Sequence, residues 1–242
     1  MSSAQPLSAS APLLAVRDLE GWYGESHVLH GIEFDVAPGE VVTLLGRNGA
    51  GKTTTLKAIM GILGKRKGSI RFEGKELIGA PSRTIAKAGI ALCPEERAIF
   101  SSLSVDENLM LPPVVKPGGM ALDTIFEMFP NLKERLNSQG TKLSGGEQQM
   151  LAIGRILRTG AKMLLLDEPT EGLAPVIVQQ IGRTISRLKS EGYTIVLVEQ
   201  NFHFAASVAD RHYVVEQGRV IDMIPNGELG ANTEKLHAYL GV

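Results

Sequence analysis

The stretch GRNGAGKT, Gly46 to Thr53, follows the apolar run Val41 to Leu45 and precedes a helical pattern from Thr54 to Met60. Its residues are Gly46, Arg47, Asn48, Gly49, Ala50, Gly51, Lys52 and Thr53. Glycines at this spacing let the backbone curl so that several N–H groups point inward, and the helix start adds the positive end of its dipole. The pattern predicts a loop that binds the phosphates of a nucleotide through these residues and Thr54. Lys52 would supply a positive charge there, and the Thr53 hydroxyl would be a ligand of Mg²⁺.

A second apolar run ends in a pair of acids, which is the other half that such a site needs. Met163 to Leu166 has the pattern of a buried strand, and Asp167 and Glu168 follow it directly. Asp167 is predicted to hold the Mg²⁺ shell. Because alternate residues of an extended chain point in opposite directions, Glu168 can aim at an attacking water instead. Together with Lys52, this pair indicates that the nucleotide is hydrolysed as well as bound.

The composition is that of an ordinary globular protein. Of the 242 residues, 43% are hydrophobic and 21% are charged, and the formal net charge is −1. This balance argues against nucleic acid as a partner, because phosphate backbones are bound mainly through basic residues. No apolar run approaches the roughly 18 residues that span a bilayer. The single Cys93 excludes an internal disulfide, and residues 1–12 lack the features of a signal peptide, so we expect a cytoplasmic protein with a flexible leader over 1–12.

Short β-like runs alternate with helical patterns, which is typical of an α/β protein. The first of these runs predict an N-terminal antiparallel sheet from strands over Leu14 to Leu19, His27 to Val36 and Ser69 to Phe72. Continuous apolar runs predict strands that are buried on both faces of a mostly parallel sheet, at residues 41–45, 90–93, 163–166 and 194–198.

Between about residue 101 and residue 158 the strand signal gives way to helical patterns. Ser104 and Ser144 each begin a capping box, with an acid three residues later, and an apolar helical stripe follows Ser144. We therefore expect a mostly helical subdomain inserted into the α/β core. Residues 13–242 are predicted to form one domain.

The segment LSGGEQQ, Leu143 to Gln149, resembles the signature sequence of the ABC transporter ATPase family. The glycine loop, this segment and the Asp-Glu strand occur in family order, and the resemblance covers nearly all of the chain from about Leu13. A glycine pair in the first turn of a capped helix also leaves N–H groups at a positive dipole end, which is a second anion site. The resemblance implies a head-to-tail dimer, in which the signature residues of one ATPase close over the γ-phosphate of ATP held by the other. These residues are Ser144, Gly145, Gly146 and Glu147.

Three further positions are placed by the same resemblance. Tyr23 resembles the aromatic residue that stacks on adenine, with the neighbouring Trp22 as the alternative. Glu95 stands where most members have a Gln after the strand at 90–93, and the resemblance places it at the nucleotide and its Mg²⁺. Ala174 stands where an Asp is usual, in the segment that faces the partner ATPase.

Gln200 stands where the family places its switch histidine, which donates a hydrogen bond to the γ-phosphate. In a parallel sheet, ligand sites lie beyond the carboxyl ends of the strands, so the residues after 194–198 are expected over the phosphates. Gln200 keeps an N–H donor there, although an amide cannot become a charged donor as imidazole can. We assign Gln200 to catalysis with Lys52 and Glu168. An ordinary polar cap at Gln200, and substitution of its role by His203, are the alternatives.

The departures at Glu95, Ala174 and Gln200 resemble one of the two ATPases of bacterial importers for branched-chain and related hydrophobic amino acids. The resemblance implies ATP and Mg²⁺ as ligands, and a paralogous ATPase or a second copy as the dimer partner. It also implies two membrane permeases, a periplasmic binding protein and a position at the inner face of the bacterial cell membrane. Close relatives take up urea, amides or aromatic acids.

Other classes compete with an importer. An ATPase of the lipopolysaccharide-export kind is the nearest, but such proteins usually retain the Gln and the His that this chain lacks. A soluble ABC protein of translation or DNA repair would need tandem ATPase halves or a long coiled-coil insertion, and the sequence has neither. A subunit that binds ATP without hydrolysing it is disfavoured by the intact Lys52, Asp167 and Glu168.

Overall fold

The computed structural model describes residues 11–240, and residues 1–10 and 241–242 lie outside the described residues. The predicted leader over 1–12 therefore falls almost entirely outside them. The assignment of 13–242 to one domain stays a prediction.

The described chain alternates strands with helices. In chain order the strands are β1 (Leu14–Tyr23), β2 (Ser26–Val36), β3 (Val41–Leu45), β4 (Lys65–Phe72), β5 (Lys75–Glu76), β6 (Ile90–Cys93), β7 (Met163–Asp167), β8 (Thr194–Glu199), β9 (Arg211–Glu216) and β10 (Arg219–Pro225). The α-helices are α1 (Lys52–Ile59), α2 (Ser82–Ala88), α3 (Val105–Met110), α4 (Leu122–Met128), α5 (Pro130–Glu134), α6 (Gly145–Arg158), α7 (Pro175–Ser190), α8 (Phe202–Val208) and α9 (Thr233–Leu240). Short 3₁₀ turns lie at Gly140–Lys142 and Asn226–Asn232.

The strands form two sheets, as the sequence predicts. One is an antiparallel sheet in the order β2-β1-β4-β5, and the other has the order β10-β9-β3-β8-β7-β6. In the second sheet the strands from β9 to β6 are parallel, and β10 pairs antiparallel with β9 at the edge. Every residue of β3, β7 and β8 is buried, which explains why these strands are continuous apolar runs.

The register of the parallel sheet brings the ends of three strands to the same edge. Leu45, the last residue of β3, pairs with Glu199, the last of β8, and Asp167 at the end of β7 pairs with Val198. The segments that follow these strands therefore start side by side. They are the glycine loop, the Asp-Glu turn and the turn that carries Gln200.

The chain between β6 and β7 is mainly helical, which confirms the predicted insertion. Both predicted capping boxes are present, at Ser104 for α3 and at Ser144 for α6. Helices α3, α4 and α5 pack on α6 through buried side chains that include Leu109, Ile125 and Leu132. These side chains surround Gly154, so the packing holds α6, the helix that the signature segment begins.

Candidate nucleotide-binding site

The glycine loop has the backbone geometry that a phosphate cradle requires. Gly49 and Gly51 have φ of 80° and 109°, in the left-handed region that favours glycine, and Gly51 is the N-cap of α1. A Cβ atom on Gly46 would collide with the carbonyl oxygen of Val215 in the neighbouring strand β9. The loop can take this path only because glycine stands at these positions, and it ends at the positive pole of α1.

Lys52 is buried within the loop that it serves. Its side chain is 4% exposed, and Nζ donates to the carbonyl oxygens of Gly46 at 2.8 Å and of Arg47 at 3.2 Å. The same ammonium lies 3.3 Å from Glu168 Oε1. These partners satisfy a buried charge that would otherwise be costly, and they hold it at the entrance of the loop.

Thr53 and Asp167, two of the predicted Mg²⁺ ligands, are in direct contact. Thr53 Oγ1 donates to Asp167 Oδ1 at 2.9 Å, and Asp167 is 2% exposed. Burial raises the pKa of Asp167 to about 6, and the negative charges of Glu168 and Glu95 add to this rise. A divalent cation beside this carboxylate would oppose that cost of ionisation.

The residues present fit Mg²⁺ better than a metal that the protein alone would enclose. Among residues 11–240, no group of three or more His, Cys, Asp or Glu side chains is placed to hold a metal ion. Mg²⁺ is usually held by one or two carboxylates together with substrate phosphates and waters, which matches a site built on Asp167 and a hydroxyl.

Glu168 sits on a strained turn directly after β7. Its φ is 43°, which is unusual for a residue other than glycine, and its N–H donates to the carbonyl oxygen of Val198 at 3.0 Å. This conformation turns the Glu168 side chain toward Lys52 while Asp167 faces Thr53. Strain at a single residue of this kind persists where the surroundings hold it, and it is common at functional sites.

A cavity of about 350 Å³ opens in front of the glycine loop. Its lining residues are Val28, Asn48, Gly49, Ala50, Gly51, Lys52, Thr53, Thr54, Glu95, Glu168 and Glu171. Sequence analysis placed all of these except Val28 and Glu171 at the nucleotide. Glu95 reaches this cavity from the segment after β6, as the family resemblance implies. Gly46 and Arg47 contribute their carbonyl oxygens to Lys52 instead of lining the cavity.

Glu171 is a cavity residue that sequence analysis missed. A hydrogen bond with the Glu168 carboxyl raises the pKa of Glu171, and partial burial and the charges of Glu168 and Glu95 add to the rise. Three carboxyl groups therefore face one cavity that also holds the Lys52 ammonium. An anionic ligand enters such a cavity more easily when a cation or a proton accompanies it.

The signature segment starts α6 at a distance from this cavity. Ser144 N donates to Glu147 Oε2 at 2.7 Å, and Glu147 N donates to Ser144 Oγ at 3.3 Å. This capping box does not use the N–H groups of Gly145 and Gly146 in the first turn of α6. Gly145 is partly buried, and Gly146 is buried against the side chain of Ile177. None of the signature residues lines the cavity in front of the glycine loop. Within one chain, the two predicted anion sites are separate.

Trp22 and Tyr23, the aromatic pair at the end of β1, differ in their surroundings. Trp22 stacks on His27, with ring centroids 4.3 Å apart, and the ammonium groups of Lys65 and Lys67 lie 5.2 and 5.7 Å from its centroid. Tyr23 is 47% exposed. Trp22 already contacts these neighbours, and Tyr23 is the more exposed of the two rings; stacking of Tyr23 on adenine stays a prediction.

Gln200 follows β8 directly and is exposed, but it does not line the cavity. Its role at the phosphates stays a prediction. His203 lies in α8 and faces the open groove between α7 and α8, away from the glycine loop. The structure thus gives no support to His203 as a substitute for the switch histidine.

A glycine loop before a helix, a lysine within it, and an acid pair at the end of a neighbouring parallel strand define a P-loop nucleotide-binding fold. The sequence profile of the ABC transporter family matches residues 29–171. The high-affinity branched-chain amino acid transport ATP-binding protein BraG of Pseudomonas aeruginosa is 46% identical, over 95% of this chain and 100% of that protein. The lipopolysaccharide export system ATP-binding protein LptB of Escherichia coli is 32% identical, over 94% of this chain and 97% of that protein.

Solved structures agree with this assignment. The crystal structure of a nucleotide-free ATP-binding cassette from an ABC transporter matches with a TM-score of 0.83 and 25% identity, over 96% of this chain and 99% of that one. The chain belongs to the ABC transporter family, as one of its ATP-binding and ATP-hydrolysing subunits.

Proposed function

We propose that this chain is the ATP-hydrolysing subunit of an importer for branched-chain or related hydrophobic amino acids. The observation that carries the proposal is the 46% identity to the Pseudomonas branched-chain amino acid transport subunit along the whole length of that protein. The substitutions at Glu95, Ala174 and Gln200 support the same subfamily. The transported substrate does not contact this subunit, so its identity rests on relatedness and not on a pocket.

The residues of the site divide between binding ATP and hydrolysing it. The loop N–H groups and Lys52 bind the phosphates of ATP, and Tyr23 stacks on its adenine. Thr53, Asp167 and Glu95 would hold Mg²⁺, which neutralises phosphate charge. Glu168 orients the attacking water, and Gln200 donates an amide N–H to the terminal phosphate.

The partner in hydrolysis is a second ABC ATPase, either a paralogue or another copy of this chain. The N–H groups of Gly145 and Gly146 stand at the start of a helix of 14 residues, and neither residue lines the chain's own cavity. In a head-to-tail dimer, each ATP would be bound between the glycine loop of one chain and the signature segment of the other. Closing and reopening of this dimer would be the motion that drives transport.

The permeases would dock where the helical insertion meets the segment after Glu95. This surface carries exposed apolar side chains, which are Phe100, Met110, Leu111 and Val114. A hollow of about 160 Å³ lies beside them, between the end of β6 and α6. Exposed apolar surface of this kind favours a protein partner. No helix within residues 11–240 is long and apolar enough to cross a bilayer.

Docking of this surface on one of two integral membrane permeases would place the chain at the inner face of the bacterial cell membrane, in the cytoplasm. A periplasmic binding protein would deliver the substrate from the other side. Importers of urea, amides or aromatic acids are the alternatives within this assembly. The 32% identity to the Escherichia coli export subunit keeps a lipopolysaccharide-type exporter as a second candidate.

Uptake in a strain that lacks the gene tests this function. We expect the deletion to lose high-affinity uptake of labelled leucine, and the wild-type gene, but not the Glu168→Gln variant, to restore it. Labelled urea, acetamide and phenylalanine distinguish the related importers. Normal uptake of all of these, together with a defect in the outer-membrane barrier, would instead support an exporter.

A further inference from the structure

Glu199 is a buried carboxyl group that the proposed mechanism does not use. It is the last residue of β8, is 3% exposed, and directly precedes Gln200. Its Oε1 accepts a hydrogen bond from Thr170 Oγ1 at 2.8 Å, and its Oε2 accepts from the Asn201 N–H at 3.3 Å. Thr170 is 6% exposed and lies directly after Pro169, close behind Glu168.

The two partners of Glu199 belong to different turns. Thr170 stands in the turn that follows Glu168, and Asn201 stands in the turn that carries Gln200. The backbone joins the same turns nearby, since Glu168 N–H donates to the carbonyl oxygen of Val198 at 3.0 Å. The turn that carries Gln200 is also fixed to α8, because Asn201 Oδ1 accepts a hydrogen bond from the Phe204 N–H at 3.1 Å.

The hydrogen bond between Glu199 and Thr170 can form in both protonation states of Glu199. Burial raises the pKa of this carboxyl to about 7, and hydrogen bonds from Thr170 and from the Asn201 and Gln200 N–H groups oppose the rise. A hydroxyl can donate to a carboxylate and accept from a carboxylic acid. The contact with Thr170 therefore persists whether Glu199 is ionised or neutral.

We infer that Glu199 is a positioning residue, which fastens the turn carrying Gln200 to the turn carrying Glu168 through the Thr170 hydroxyl. The inference rests on the proposed role of Gln200 at the terminal phosphate. A side chain at the surface, such as Gln200, has many conformations, and fixing the backbone beside it reduces the loss of entropy when it meets the phosphate. Glu199 itself does not touch the nucleotide.

Thr170→Val is the variant that removes the link, because valine keeps the shape of threonine and loses the hydroxyl. Thr170→Ser is the matched control, which keeps the hydroxyl. We expect Thr170→Val to lower kcat for ATP roughly 3- to 10-fold with KM for ATP nearly unchanged, and Thr170→Ser to keep most of kcat. Equal losses in the two variants, or a loss confined to KM, would overturn the inference.

A double-mutant cycle separates positioning from general damage. If Glu199 and Thr170 act through Gln200, then Thr170→Val should cause no further loss of kcat in a Gln200→Ala background. The same fold-loss in both backgrounds would show that the link only supports the fold. Glu199→Gln, which keeps an acceptor for Thr170, should lie between Thr170→Ser and Thr170→Val.

A measurement without turnover tests the link if the chain hydrolyses no ATP on its own. We expect amide hydrogen exchange at Gln200 and Asn201 to become faster in Thr170→Val than in wild type or Thr170→Ser, in the absence of nucleotide. Unchanged exchange would refute the link. If the exchange changes as expected but the wild-type chain shows no ATPase activity either alone or with the paralogous ATPase, the result would count against the proposed function and not against the link.

Discussion

Lys52 Nζ lies 3.3 Å from Glu168 Oε1, and both side chains are at most one-tenth exposed. The residue that should bind the phosphates thus pairs with the residue that should orient water. Lys52 also donates to carbonyl oxygens of its own loop. We therefore expect the phosphates of ATP to compete with Glu168 for this ammonium, and their binding to free the Glu168 carboxylate for its proposed part in hydrolysis.

Removing the charge at position 52 should weaken nucleotide binding. We expect Lys52→Met to lower the affinity for ATP roughly 10- to 100-fold, because a hydrogen bond to a charged group contributes about 1.5–3 kcal/mol. Titration with a fluorescent ATP analogue measures this change. Lys133→Met, at an exposed position on α5, is the control and should bind as wild type does. Equal affinity in the two variants would contradict the role of Lys52.

Glu168→Gln should separate binding from turnover. The amide keeps the size of the side chain but cannot take a proton, so we expect kcat to fall by about 100-fold or more with ATP affinity retained. The steady-state rate of phosphate release gives kcat, and titration with nucleotide gives the affinity for ATP. Glu191→Gln, in an exposed pair with Arg187 at the end of α7, should leave both unchanged. Undiminished turnover in Glu168→Gln would refute the assignment.

Gln200→Ala should slow hydrolysis with little effect on affinity. Loss of one neutral hydrogen bond in the transition state predicts a fall in kcat of roughly tenfold or less. Gln200→His, which restores the residue usual in the family, should recover activity. If Gln200→Ala hydrolyses ATP and supports transport as wild type does, then Gln200 is only a polar cap.

The buried Glu199 gives the stability a dependence on pH. Its pKa rises from an ordinary 4.5 to about 7 in the folded chain, so the folded state holds the proton more tightly than the unfolded one. The stability that the folded state gains from this tighter proton binding is complete below the ordinary pKa of the carboxyl and is lost as the pH rises through about 7. Each pKa unit corresponds to about 1.4 kcal/mol.

We therefore expect the wild type to lose stability relative to Glu199→Gln as the pH is raised, since the amide cannot ionise. Thermal unfolding of both proteins without nucleotide, at a series of pH values from acid to mildly alkaline, measures the difference. A constant difference across the series would show that Glu199 does not titrate in this range.

Much of the fold was predictable because local patterns and tertiary structure agree. The apolar runs of β3, β7 and β8 are buried along their whole length, and their motifs follow directly in sequence. The edge hairpin of β9 and β10 was not predicted, since polar residues interrupt both strands and Arg211 and Arg219 begin them. Its strands are defined by pairing with β3 and with each other.

The parts of the site that were missed depend on contacts between distant segments. Glu199 contacts a threonine 29 residues away, and no local pattern shows that a carboxyl after an apolar strand will be buried. Glu171 lines the cavity from the turn that follows Glu168, a residue whose φ of 43° no sequence pattern predicts. A sequence motif shows which residues are present, but burial and hydrogen bonding of these side chains depend on how closely the turns after β7 and β8 approach each other.

Cross-linking across the proposed dimer is the most direct test of the central claim. Ser144→Cys would be placed in this chain, with Cys93→Ala and Glu168→Gln to remove the native thiol and slow hydrolysis. A second cysteine would replace Asn48 in another copy, or its equivalent in the paralogous ATPase. We predict a disulfide between the two chains that forms with Mg²⁺ and ATP and is much weaker with ADP or no nucleotide. Absence of this cross-link with both partners, in the presence of ATP, would contradict a nucleotide held between one chain's glycine loop and the other's signature.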